Sequence, residues 1–152
     1  MNQSSVLLGL ICLIFSSCGA SVGIGSGGVE NLASTRVKTN SSSAVERAVL
    51  DVFQDQGFSV ISKGSQSVSF SKRGGRSADI AWSTMNNPNP VMIRPTVGWR
   101  ASSEGEMLVT CQVEVAQQST VYGETVRQPL MVGKAAYNGM LKDVKRRVER
   151  SR

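Results

Sequence analysis

Apolar residues recur every three to four positions between residues 44 and 56, and the sequence marks both ends of the helix they predict. Val45, Ala48, Val49, Val52 and Phe53 form one stripe along it. Ser43-Ala44-Val45-Glu46 reads as a capping box, in which the serine oxygen accepts from a first-turn amide and the glutamate reaches back. Gly57 supplies a left-handed residue to end the helix, and Phe58 an apolar closure. The period then falls to two. Residues 58–62 and 66–72 predict a hairpin turning at Lys63-Gly64-Ser65, with Val68 and Phe70 on one face and Ser67, Ser69 and Ser71 on the other. Ala78, Ala81, Trp82 and Met85 return to helical spacing and predict a short helix over 77–85, ended by Asn86-Asn87-Pro88-Asn89-Pro90.

The longest alternation comes next. Val91, Ile93, Val97, Trp99 and Ala101 share one face; Arg94, Thr96 and Arg100 share the other. After a turn at 102–105, Met107, Val109, Cys111, Val113 and Val115 carry the apolar phase on to about residue 117. Pro95 has no N–H for a ladder, so its strand is expected at a sheet edge, or with a bulge there. Residues 119–126 suit either a fifth strand or a loop. Pro129 opens a last helix with Leu130, Tyr137, Leu141, Val144 and Val148 on its buried face. Lys145-Arg146-Arg147 falls near its C-terminus, where the helix dipole favours cations.

The order α-β-β-α-β-β-α predicts an α+β domain: an antiparallel sheet of four to five strands with N- and C-terminal helices packed on one face. That order loosely resembles the helix-grip folds of some envelope-assembly lipoproteins. The resemblance implies an architecture and transfers no site.

Ahead of the domain the chain has a different character. Val6 to Phe15 is a run of ten apolar residues, followed by Ser16, Ser17 and Cys18. Ten is too few to cross a hydrocarbon core of ~30 Å, which takes about 20. The run suits the central region of a secretory signal with a small-residue cleavage site behind it. A cysteine just after such a site resembles the lipobox of bacterial lipoproteins, although Phe15 stands where leucine is usual and residues 1–5 carry no Lys or Arg. The resemblance covers residues 15–18 and the run before them. It implies cleavage ahead of Cys18, a thioether-linked diacylglycerol and an acylated amino group on that residue, and a membrane-anchored life in the bacterial envelope. In a cell with two membranes, Gly19 after the cysteine suits sorting to the outer membrane, facing the periplasm. The chain then divides into a signal peptide over 1–17, the lipidated Cys18 with a Gly/Ser-rich tether over 18–42, and one α+β domain over 43–152. A coil of 24 residues reaches roughly 25–30 Å, enough to hold a domain just off a membrane.

The formal net charge is +6, and six basic residues between Lys63 and Arg100 face Asp79 alone. Behind an export signal the matching anions are lipid headgroups, lipopolysaccharide phosphates or cell-wall polymers rather than nucleic acid. Lys72, Arg73, Arg76, Arg94 and Arg100 are the candidate set for an anion or a partner; a dispersed solubilising surface is the competing reading. Trp82 and Trp99 read as core residues. The chain has no histidine, which removes the commonest general base and the commonest zinc ligand. Asp51 and Asp55 lie four apart on a helix and read as a solvated face, and Glu104 and Glu106 flank a turn. No constellation suggests a reaction, and neither a metal nor a cofactor is expected. With Cys12 leaving in the signal and Cys18 lipidated, Cys111 remains as a single buried, inert thiol. Two functions follow as expectations. One is a non-enzymatic interaction or assembly domain with an envelope protein partner; the other is a binder of an anionic lipid or cell-wall component between helices and sheet. A large apolar pocket lined by Trp82 or Trp99 would favour the second; a solid core with an open edge strand would favour the first.

Overall fold

The computed structural model describes residues 33–75, 90–119, 123–127 and 133–151. In chain order they form β1 (Ala33–Lys38), α1 (Ser42–Asp55), β2 (Ser59–Lys63), β3 (Ser67–Arg73), β4 (Val91–Ser103), β5 (Glu106–Ser119), β6 (Gly123–Arg127) and α2 (Lys134–Arg150). The fold is α+β. Every strand pairing is antiparallel, in the order β1-β5-β4-β3-β2, and β6 also pairs with β5. Both helices contribute to a single core on one face of this sheet.

β5 organises the sheet through its length. One edge is taken by β4 from Glu106 to Gln117. The other edge holds two strands in succession, β1 opposite Glu106–Cys111 and β6 opposite Val115–Ser119. The period of two decides what this sheet buries. Val97 and Trp99 of β4 lie opposite Cys111 and Val109 of β5, and all four are buried beneath the helices. Val68 and Phe70 extend that face on β3, and Ala33 and Val37 on β1.

α1 has the apolar stripe read from its spacing: Val45, Ala48, Val49, Val52 and Phe53 are all buried. Its cap differs from the expectation. The N-cap is Ser41, whose Oγ accepts from the Ala44 amide at 3.2 Å, while the Ser43 hydroxyl meets that of Ser41. The helix ends as expected at Gly57, with φ of 78°, and the Phe58 amide donates back to the Phe53 carbonyl at 3.0 Å. This bond folds Phe58 under the helix. The Phe53 ring tilts against Phe58 with centroids 5.7 Å apart and stacks on Phe70 at 4.8 Å.

Three expectations are corrected. Among the described residues a strand precedes α1: β1 lies inside the stretch assigned to the tether, so the sheet takes in Ala33–Lys38 ahead of residue 43. Its alternation of Ala33, Thr35 and Val37 with Ser34, Arg36 and Lys38 is built from small and polar residues and signals weakly. Second, among the described residues β6 joins the five-strand path β1-β5-β4-β3-β2 as a sixth strand, and it resolves part of the open stretch 119–126 as a strand. Third, β4 is not an edge strand, since β3 flanks it on one side and β5 on the other. Pro95 keeps its place opposite Val113, and pairing with β3 passes from Ser69↔Thr96 to Lys72↔Ile93. The ladder opens where the proline has no donor, and the hydroxyls of Ser69 and Thr96, 3.0 Å apart, join the strands beside the gap. The outer strand on this side is β2, with a register shift between Val60 and Ser62 that leaves Ile61 55% exposed. Such a bulge blunts an edge. The expected helix over 77–85 lies outside the described residues, as does Leu130.

Candidate functional site

Strand parity separates the basic residues singled out from the sequence. Lys72 shares the helix-side phase of Val68 and Phe70, whereas Arg73, Arg94 and Arg100 project from the opposite face. Arg76, Trp82 and Cys18 lie outside the described residues.

On the face without helices, Arg94 of β4 reaches over β5 to Glu124 of β6. Its two terminal nitrogens donate to the two carboxylate oxygens at 2.9 and 2.5 Å. The hydrogen bonds hold the Arg94 guanidinium above its ordinary range and the Glu124 carboxyl below its own. Glu114 lies opposite Arg94 in register and adds to the negative field. Arg94 is therefore committed to the protein's own carboxylates. Arg73 sits at the end of β3 opposite Met92. Arg100 lies opposite Leu108, whose neighbour on the other side is Arg36 of β1. Among the described residues neither Arg36 nor Arg100 has a carboxylate within ion-pair distance. Between these charges the face is hydroxylic: Ser67, Gly98, Thr110 and Ser34 form one row across four strands, and Ser69, Thr96 and Gln112 form the next.

On the helix side, described residues line a recess at each end of the helix pair. The larger, about 630 Å³, lies between the start of α1 and the end of α2, among Thr39, Ser41, Arg47, Asp51, Arg147 and Ser151. Its charges are largely answered locally: Arg147 donates to Asp55 at 2.6 Å and lies 3.9 Å from Asp51, and Arg47 donates to the Ser43 carbonyl. Asp51 and Asp55, read as a solvated face, thus latch α1 to α2 from an exposed position.

The smaller recess, about 420 Å³, lies where α1 ends, beside Phe58, Lys72 and the first half of α2. Tyr137 and Met140 line it and are at least nine-tenths buried. The Lys72 Nζ donates to the Gln56 carbonyl at 2.6 Å and stands 5.3 Å from the Phe58 ring centre. Burial, with a smaller contribution from Cys111, holds the Tyr137 phenol above its usual range, so it is a neutral hydroxyl. Trp99 lines neither recess. It lies in the core, and its indole nitrogen donates to Ser42 Oγ at 2.7 Å. Cys111 is free and fully buried, its thiol pushed up to about 12 by burial. Among the described residues no three of His, Cys, Asp and Glu converge as a metal site would require, and no helix is long and apolar enough to cross a membrane.

Sequence reasoning alone misses Arg36, Glu124 and Tyr137 as site residues. Arg36 falls in a stretch with the composition of a tether, and Glu124 in one that suits strand and loop equally. Tyr137 has the spacing of a core residue, which it is, yet it also walls a recess.

No family model matches the chain, and no curated protein matches it. Among solved structures the chain is similar to TTHA0849 from Thermus thermophilus, at 10% sequence identity, with 78% of this chain and 96% of that one covered and a TM-score of 0.36.

Proposed function

We propose that this protein is a bacterial envelope lipoprotein, anchored through acylated Cys18, whose domain serves as a non-enzymatic interaction or assembly module. The observation that carries the reading is the ten-residue apolar run closing on Ser16-Ser17-Cys18, with only residues 19–32 between it and the first strand at Ala33. An export signal ending in a lipid acceptor and followed directly by one small domain suits a protein that works at a membrane surface. In a cell with two membranes, Gly19 suits the outer one. The helix-grip-like element of the reading rests on the two helices held against one face of an antiparallel sheet.

The surface assigned to the protein partner is the sheet face opposite the helices. There Arg36 and Arg100 flank Leu108, beside the hydroxyl rows, with no internal carboxylate to answer them among the described residues. An acidic partner surface complements this pair, and exposed charges of this kind act mainly on encounter rate and selectivity. A photoreactive amino acid placed at Arg100 of the full-length chain in living cells tests the reading, with position 146 on the outer side of α2 as control. A discrete envelope-protein adduct from position 100, absent from position 146 and lost with Cys18→Ser, is the expected result. Equal adducts from both positions, or none from position 100, would overturn it.

A further inference from the structure

The recess at the end of α1 sets apolar core side chains beside a lysine at its rim. Its walls are apolar or small: Phe58 from the helix terminus, and Ala136, Tyr137, Gly139 and Met140 from α2. An added Cβ at Gly139 would meet nothing within 4 Å, so the wall there is open. Glycine within a helix costs about 1 kcal/mol relative to alanine, a cost the packing of α2 does not require. At about 420 Å³ the recess falls within the ~300–1,000 Å³ of small-molecule sites.

Its polar groups are few and unequal. The rim carboxylate, Asp143, is paired with Arg146 on the next turn of α2. Lys72 has no carboxylate partner among the described residues. An ammonium has three donors. One is spent on the Gln56 carbonyl, which fixes the group at the rim beside the Phe58 ring, and two remain. Tyr137 is 7% exposed and, like Met140, adds apolar surface to the recess wall.

We propose that this recess binds a single-chain amphiphile with an anionic head, carboxylate or phosphate, whose acyl chain lies on Phe58, Tyr137 and Met140 and whose head meets Lys72. The charge of the rim selects the anion: the free charge is cationic, and the anionic one is already neutralised. The site belongs to the folded domain and stands whether or not Cys18 is acylated.

The test is photolabelling of the full-length chain in phosphatidylcholine nanodiscs with a decanoate carrying a terminal diazirine. Peptide mapping locates the label, and unlabelled decanoate, decyl phosphate, decanol and decyltrimethylammonium serve as competitors. The expected result is saturable label on Phe58 or on residues 136–140. Decanoate or decyl phosphate should displace it at concentrations at least tenfold below those needed for decanol or the ammonium compound, and the more effective of the two identifies the head group. Lys72→Gln should weaken labelling about tenfold, and Ala136→Phe, which fills the recess from an exposed position, should abolish it. Label spread over the sheet face, equal competition by the cationic amphiphile, or unchanged labelling in a folded Lys72→Gln protein would each overturn the proposal.

Discussion

Arg94 and Glu124 are joined across a strand that belongs to neither of them: the arginine rises from β4, the glutamate from β6, and β5 runs beneath the bond. Among the described residues β6 pairs with β5 alone, and this bridge ties it to β4 as well. Arg94→Gln is expected to speed amide exchange at Glu124 and Val126 several-fold while leaving α1 unchanged. The carboxyl of Glu124 is held below its ordinary range, so the bridge is intact above that range and is lost as pH falls through the lowered value. Exchange in β6, corrected for intrinsic rates, should therefore rise on acidification in the wild type and be pH-insensitive in Arg94→Gln.

Phe53 is the centre of the core, fully buried and in contact with two other rings. Removing it leaves a cavity under α1 beside the rings of Phe58 and Phe70. Phe53→Ala should cost about 3–5 kcal/mol in chemical denaturation, a large share of the ~5–15 kcal/mol of a small domain. A loss under about 1 kcal/mol would contradict this packing.

Ser42 Oγ is the acceptor for the buried indole of Trp99. Ser42→Ala strands that N–H and should cost about 1–3 kcal/mol. In a Trp99→Phe background, where no donor is left behind, the same substitution should cost less than half as much. Equal costs in both backgrounds would show that the serine acts only on the helix start.

Cys111 titrates from an ordinary value of 9.0 to about 12 in the fold because burial opposes the thiolate. A raised value favours folding below the unfolded pKa, and that contribution is lost as pH rises from 9 toward 12. The loss is about 1.4 kcal/mol per pH unit. Between about pH 8 and 10.5 the wild type should lose about 2 kcal/mol more than Cys111→Ala, measured by urea denaturation. Tyr137, raised mainly by burial and to a smaller extent by Cys111, adds its own loss above its ordinary value of 10.0 in both proteins, so the comparison is cleanest below pH 10.

The parts of the fold legible in the sequence are those with strong periodicity. The stripe from Val45 to Phe53 and the alternation from Val97 to Val113 need no tertiary information, because each side chain's direction follows from its position in the repeat. β1 is not legible: six residues of modest hydrophobicity behind a Gly/Ser-rich run gain strand structure only from pairing with β5. Pro95 is legible only in part. Its missing donor reads as the mark of an edge or of weakened pairing; the ladder with β3 does open there, but β4 stays inside the sheet, where the Ser69–Thr96 pair sits beside the gap. Parity and partnership divide the described members of the basic set. Lys72 and Arg73 are neighbours in sequence and therefore on opposite faces of the sheet, and the partner of Arg94 comes from a strand the alternation does not mark.

The central claim is that Cys18 is the acylated N-terminus of the mature protein. The direct measurement is the intact mass of the N-terminal proteolytic peptide from protein purified out of its native membranes. The account predicts a peptide beginning at Cys18 that carries a diacylglyceryl thioether and an amide-linked acyl chain. Mild alkaline hydrolysis should remove the ester-linked chains and leave the amide-linked one in place. A peptide beginning at any other residue, or Cys18 recovered as a free thiol, would contradict it.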